Sequence, residues 1–423
     1  MSRQQFYESI DQFWHNLYET EYALYDLKEE TSDVINHIRL ATNRVGHLFF
    51  KTAHLLRKLD DYTLQSLGFP KESLAFIRLQ TLQWESVIAR LDFVVQHSTI
   101  KLLELNADTP TFIKETFYVN GEVSRHFGFV DPNKEEDKRL AEALKHAIFQ
   151  AYNTLNQSSY PNVVFSSHGD HEEDKWTAMY LMKIAGVKAK YVPLDELRVV
   201  SESIYENGEL MIEEGLYDRD GERIDVLYRQ TYPVEHLVED EDPESKEKVG
   251  QLLMRWVEEK KVVVLNPPSA FLLQSKAVQA IIWGLFEEKH PYFTEEEHGW
   301  ISTYFLPTYL DAEPFLKRKQ SFVKKPAFGR EGDTVEIYDG YGAKIEEDKQ
   351  KTYRESVPVF QQFVSLPTHD IQTEEGKRNA HIMYGSFLIN GHASAIGVRA
   401  GNQITDNASY FLPIGIKKSS QSF

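Results

Sequence analysis

From about Pro161 the chain alternates short apolar, β-branched runs with helical segments, and this pattern restricts its architecture more than any other feature. NVVFSS reads as a strand, KWTAMYLMKIA as a helix stopped by Gly186, and AKYVPL and IDVLYRQT as strands. A helix from about Pro243 to Glu259, the strand VVVLNPP and the helical SKAVQAIIWGLF complete the series. Strands alternating with helices predict βαβ units around a largely parallel sheet. After about Pro291 the pattern changes again. SFVKKPAF and DTVEIYDG flank the turn GREG, and VPVFQQFVSL and HIMYGSFLINGHASAIGVRAG follow, which predicts antiparallel pairing. The first 160 residues read as mainly helical with one hairpin. Phe6, Ile10, Phe13, Trp14 and Leu17 mark an amphipathic helix there, and Leu140, Leu144, Ile148, Ala151 and Leu155 mark another. The expected fold class is therefore mixed α/β.

The composition closes off several kinds of chemistry. The chain has no cysteine, which removes disulfides, zinc thiolates and thiol nucleophiles. A formal net charge of -18 argues against a broad nucleic-acid surface, and no apolar run reaches the roughly 18 residues of a membrane span. The N-terminus lacks the apolar core of a signal peptide, so a cytoplasmic location is expected. Neither G-x-x-x-x-G-K-[ST] nor G-x-G-x-x-G occurs, so P-loop and dinucleotide sites are not expected.

Chemistry is suggested first by ARLDFVVQHSTIKLLELNADTPTF, residues 89–112. Alternate residues of a strand share a face, so Arg90 and Asp92 point one way, as do Glu104 and Asn106. A turn centred on Ser98 sets Asp92 opposite Glu104 and Arg90 opposite Asn106. Two carboxylates and an amide oxygen on one surface suit a hard cation such as Mg2+; a cross-strand charge network on an exposed sheet face accounts for the same spacing. In VKKPAFGREGDTV, Gly329 and Gly332 lie beside Lys324, Lys325 and Arg330. A glycine-rich turn lets backbone N–H groups approach phosphate, although an ordinary hairpin has the same look. SSHGDHEEDKW offers His168, Asp170, His171 and Asp174 as a metallohydrolase site, Glu172 and Glu173 as a seat for a cationic amine, or simply acids favoured by a helix start. Lys276 and Arg399 are lone cations in apolar stretches, and burial of such a charge calls for a carboxylate or an anion.

In order along the chain, R-x-D, ELNADTPT, HEED, QSKAVQA, KKPAFGREG and IGVRAG resemble the glutathionylspermidine synthase family of ATP-grasp ligases. The resemblance runs from Trp84-Glu85 to Phe411–Ile414. It implies an ATP-grasp fold with an embedded Rossmann-like subdomain: residues 1–160 helical with the metal-binding hairpin, 161–270 Rossmann-like, and 271–423 nucleotide-binding. By resemblance, Asp92, Glu104 and Asn106 hold magnesium, Arg90 faces the acyl substrate and phosphate, and Lys325 and Lys276 reach ATP phosphates. Arg330, with Gly329 and Gly332, lies in the phosphate loop, and Arg399 lies near the transferred phosphoryl group. Gln361, Gln362 and Phe363 pack on and hydrogen-bond adenine, while Glu172 and Glu173 belong to the amine side and Thr109 and Thr111 to the substrate loop. The implied activity joins a small or short-peptide carboxylate to an amine, polyamines included, through an acyl phosphate. Without cysteine, and starting at its helical segment, the chain is expected to lack the amidase domain of bifunctional members. HEED and ADTPTF bring it closer to stand-alone acid–amine ligases. Two other readings compete: a metal-dependent hydrolase using His168 and His171, and a non-catalytic nucleotide-binding protein of the same fold.

Overall fold

The computed structural model describes residues 1–330, 332–406 and 408–418. Three sheets organise it. The parallel one has the order Val263–Leu265, Val226–Arg229, Val163–Ser166, Lys190–Tyr191, with every pairing parallel. Its first three strands are buried on both faces, which is why they read as apolar runs, while the edge strand Lys190–Tyr191 is half-buried. The helix Glu172–Ala185 follows its central strand and ends on Gly186 in the left-handed conformation, a position that favours glycine.

The second sheet is antiparallel and joins distant parts of the chain. Tyr410–Leu412, His392–Gly401, Gly376–Ile389, Ile88–Gln96 and Thr99–Asn106 lie side by side, and Thr368–Thr373 pairs with Gly376–Ile389. The early hairpin thus completes a sheet begun by the last third of the chain. The helix Ser32–Leu56 braces the back of this sheet. Its buried side chains include Ile35, Ile38, Thr42, Val45, Phe49 and Leu56, a 3.6-residue periodicity, and Thr31 caps it by accepting from the Val34 N–H. Thr42 and Ser386 share a buried hydrogen bond of 2.6 Å across the helix–sheet contact.

The third sheet, also antiparallel, has the order Thr308–Tyr309, Pro358–Gln362, Phe322–Pro326, Glu336–Tyr338, Lys344–Glu347. It contains the SFVKKP/EIY hairpin that flanks the glycine turn. Two helical expectations differ from the structure. Near the N-terminus only Arg3–Glu8 is helical. Gln12 turns to a φ of 54°, and Phe13 and Trp14 reach the core by tertiary packing. The helix expected from Pro243 begins at Val249, because the Asp242 carboxylate accepts from the N–H groups of Glu244 and Ser245 and holds a turn there.

Candidate active site

The hairpin Ile88–Gln96/Thr99–Asn106 pairs Arg90 with Asn106 and Asp92 with Glu104. His97 and Ser98 form the two-residue turn, and a bulge after Asp92 leaves Leu103 unmatched and restores the register of the polar face. The Arg90 guanidinium clasps Asp92, Nε donating to Oδ1 at 2.7 Å and Nη2 to Oδ2 at 2.9 Å. Arg90 Nη1 also donates to the Thr111 carbonyl at 2.9 Å. The central strand makes room for this clasp with Gly385, opposite Asp92; a Cβ there would stand 3.0 Å from Arg90 Cδ and 3.5 Å from Asp92 Oδ1. The Asn106 amide nitrogen donates to Asp92 Oδ2 at 3.2 Å and to Glu104 Oε1 at 3.3 Å. Both carboxylates thus converge on one point, occupied by a partial positive charge. Two carboxylates and an amide, which presents oxygen after rotation, form a donor set for a hard cation.

The glycine turn lies across a cavity from this hairpin. Lys276 spans the gap: its Nζ donates to the Gly329 carbonyl at 2.9 Å and sits 3.2 Å from Glu104 Oε2. Gly332 has a φ of +73°, and a Cβ there would fall 2.3 Å from the Thr405 carbonyl oxygen, so glycine is required on both counts. Arg330 Nη2 donates to Thr109 Oγ1 at 2.6 Å. Lys325 Nζ donates to Gln361 Oε1 at 2.8 Å and reaches the Leu103 carbonyl at 3.4 Å, 222 positions away in the chain. Its neighbour Lys324 points to the other face and pairs with Glu336 at 3.2 Å, as strand alternation requires. Every residue that the family resemblance assigned to the site lines this one cavity except Glu172 and Glu173; Lys324 and the His168–Asp174 cluster lie outside it.

Electrostatics in the cavity are uneven. Burial by itself would raise the Glu104 carboxyl, but the charges of Lys276, Lys325 and Arg90 overcome it and hold the group down at about 2. Burial raises Asp92 against the pull of Arg90. Lys325 is pushed down to about 8 by burial, with Glu104 opposing. Arg399 Nε is buried with no hydrogen-bond partner, and no ion pair to Arg399 occurs among the described residues. Two lysines and two further arginines besides Arg90 thus border a space with three carboxylates, Asp92, Glu104 and Asp333, the first closely held by a guanidinium. A polyanion fits this balance.

The helix start at His168–Asp174 is arranged differently. His171 Nδ1 stands 3.0 Å from Asp174 Oδ2, and Asp174 also accepts from Thr231 Oγ1. Among the described residues, no group of three or more histidine and acidic side chains is placed to hold a metal ion. Glu172 is exposed and Glu173 half-buried, and the charge of Glu173 is felt by Arg90 and by Tyr22.

Sequence reasoning missed the residues that hold the cavity in shape. Gln279 Oε1 accepts from Gln361 Nε2 at 3.0 Å, turning the Gln361 oxygen toward Lys325. The Gln274 side-chain oxygen accepts from the N–H groups of Ala107 and Asp108, and Asn266 Nδ2 donates to the carbonyls of Ile88, Ala107 and Asp108. QSKAVQ and LNPP carried the available signal: an amide inside an apolar run must find partners when buried.

The chain resembles known proteins along most of its length. The model of the glutathionylspermidine synthase preATP-grasp family matches residues 3–417. A Haemophilus influenzae protein described as "Putative acid--amine ligase" is 25% identical over 334 residues, 77% of this chain and 73% of that protein. Trypanothione synthetase of Crithidia fasciculata is 23% identical over 408 residues, 90% of this chain but 55% of the synthetase, so the chain spans little more than half of that relative. Among solved structures, a glutathione synthetase-like effector of Globodera pallida covers 98% of this chain and 95% of its own, with a TM-score of 0.58 at 12% identity, a likeness of fold. The fold is the mixed α/β architecture of ATP-grasp-type proteins, and no helix among the described residues is long and apolar enough to cross a membrane. On a family match that runs almost from end to end, this chain belongs to the glutathionylspermidine synthase family.

Proposed function

We propose that this chain is an ATP-dependent carboxylate–amine ligase that works through an acyl phosphate. The observation that carries this reading is the convergence of Asp92, Glu104 and Asn106 with Lys276, Lys325, Arg330 and Arg399 on one cavity. The γ-phosphoryl group passes to a carboxylate oxygen of the acid, and ADP leaves. The amine nitrogen then attacks the acyl carbon, the carbon–oxygen bond to phosphate breaks, the nitrogen loses its proton, and an amide and inorganic phosphate result. No enzyme nucleophile takes part. The task is to hold anions together and to neutralise developing charge with groups already in place.

In this reading Lys325 and Lys276 hold the phosphates, Arg330 and Arg399 surround the transferred phosphoryl group, and Arg90 faces the acyl carboxylate. Gln361, Gln362 and Phe363 form the adenine side, and Lys325 links it to the phosphates. Asp92, Glu104 and Asn106 would hold Mg2+, which when bound neutralises phosphate charge. Thr109 and Thr111 lie on the acid side, and Glu172 and Glu173 receive the amine.

The direct test is ADP release with paired panels of short peptides, amino acids and polyamines, with mass spectrometry for the condensed product. ADP formation that depends on both an acid and an amine, with a product lighter than their sum by one water, is expected. Nucleotide binding without ADP release under every pair would instead support a non-catalytic role, and ATP-independent hydrolysis that requires His171 would support the hydrolase.

A further inference from the structure

Behind the glycine turn lies an assembly that the cavity lining does not include. Arg229 and Asp108 form an ion pair with both side chains 0% exposed. Asp108 Oδ2 also accepts from the Val234 N–H at 3.1 Å, which fixes the short turn Val234–Leu237. The residues that follow these two anchors in the chain are Thr109 and Glu235. Both meet Arg330: Thr109 Oγ1 accepts from Nη2 at 2.6 Å, and Glu235 Oε1 stands 3.7 Å from Nε. One buried carboxylate therefore sets the positions of two partners of a single guanidinium.

The contact between Glu235 and Arg330 is of a particular kind. Glu235 Oε2 and Arg330 Nε are both buried without a hydrogen-bond partner, and 3.7 Å is too long for a hydrogen bond. Arg90, by contrast, is closed on Asp92 through two short contacts. A carboxylate at this distance steers a guanidinium by charge, and with Nη2 held by Thr109 it leaves Nη1 to point outward. Glu235 does not line the cavity, so its influence must pass through Arg330.

We infer that Glu235 is a positioning residue, anchored through Asp108 and Arg229, that aims the Arg330 guanidinium at the terminal phosphoryl group of a bound nucleoside triphosphate. The inference rests on the ligase reading in one respect, that the cavity takes a triphosphate. It predicts that Glu235 influences affinity through the group that distinguishes ATP from ADP.

The test is calorimetric titration of ATP and of ADP into the wild type, Glu235→Gln, Arg330→Ala and the double variant. Glu235→Gln is expected to reduce the preference for ATP over ADP about tenfold, Arg330→Ala at least as much, and the double variant no more than Arg330→Ala alone. Glu235→Asp keeps the charge and is expected to lose about threefold at most; because the preference is a ratio within one protein, a smaller folded fraction does not change it. A wild-type preference in Glu235→Gln, a loss that adds in full to that of Arg330→Ala, or an equal loss in Glu235→Asp and Glu235→Gln overturns the inference. A wild type that binds neither nucleotide overturns the ligase reading, and this inference with it.

Discussion

The cavity and the helix start at His168–Asp174 are both polar clusters at strand ends, and they differ in how far local structure explains their charges. In the cavity, Lys276 reaches Glu104 and Gly329, Lys325 reaches Leu103 and Gln361, and Arg330 reaches Thr109. The groups are brought together by the tertiary fold. At the helix start, His171 pairs with Asp174 three positions along, and Glu172, Glu173 and Asp174 occupy the first turn, where acids are stabilised by the helix dipole. Thr231 and Tyr18 also reach Asp174 and His171 from a distance, but the three acids have a local explanation in the helix start; cations and carboxylates assembled from distant segments against desolvation call for a ligand or a function.

The ion pairs behind the two regions provide the largest expected difference. Arg229–Asp108 is fully buried, so Arg229→Ala should cost about 3–5 kcal/mol by stranding Asp108. His171→Ala, at a side chain 39% exposed, should cost about 1 kcal/mol or less. Urea unfolding midpoints measure both. Equal costs would mean that the loop 107–112 is no better anchored than the helix start.

Turnover is the next measure. Asp92→Ala, Glu104→Ala and Lys325→Ala are each expected to lower ADP-forming turnover by at least roughly 10²-fold, the usual consequence of removing one electrostatic stabiliser, while His171→Ala stays within about threefold. Wild-type turnover in any of the three, with folding intact, removes that residue from the site. Loss in His171→Ala alone would reverse the ranking of the two regions.

A smaller effect concerns pH. Lys325 is pushed down to about 8 by burial, and only its protonated form neutralises phosphate. The kcat/KM for ATP should therefore fall as pH rises through about 8, since that ratio reports groups of the free enzyme. Lys325→Arg, which stays protonated, should move the fall to higher pH even if it lowers the plateau. An unchanged alkaline limb in Lys325→Arg would assign the titration to another group.

Legibility followed the range of the interactions. The alternation of strands and helices identified the parallel sheet, and period-two spacing placed Arg90, Asp92, Glu104 and Asn106 on one face. Their register emerged from a turn that lies half a residue earlier than Ser98 and from the bulge at Leu103, which no side chain signals. The hairpin's membership in a sheet with Gly376–Ile389 depends on contacts nearly three hundred positions apart, and periodicity does not encode those. Glu235 is in sequence an acid near a proline, and its place beside Arg330 is fixed through Val234 from Asp108, 126 positions away in the chain. Conversely, Phe13 and Trp14 are as buried as the spacing required but not helical, because burial can be met by more than one backbone path.

The smallest prediction bears on whether the helix start has a function of its own. Glu172 is exposed, and an exposed charge pair contributes about 0.2–1 kcal/mol. Glu172→Gln should therefore raise the KM for the amine no more than about fivefold, leave the KM for ATP unchanged, and reduce the salt dependence of amine binding, since exposed attraction is screened over roughly a Debye length. Glu173→Gln should have the larger effect of the two, because Glu173 is half-buried and its charge reaches Arg90. If both variants change ATP and amine alike, or change neither, the acids serve the helix alone. If only the amine responds, the two regions are the two ends of one reaction path: one holds the phosphates, and the other gathers the cation that attacks.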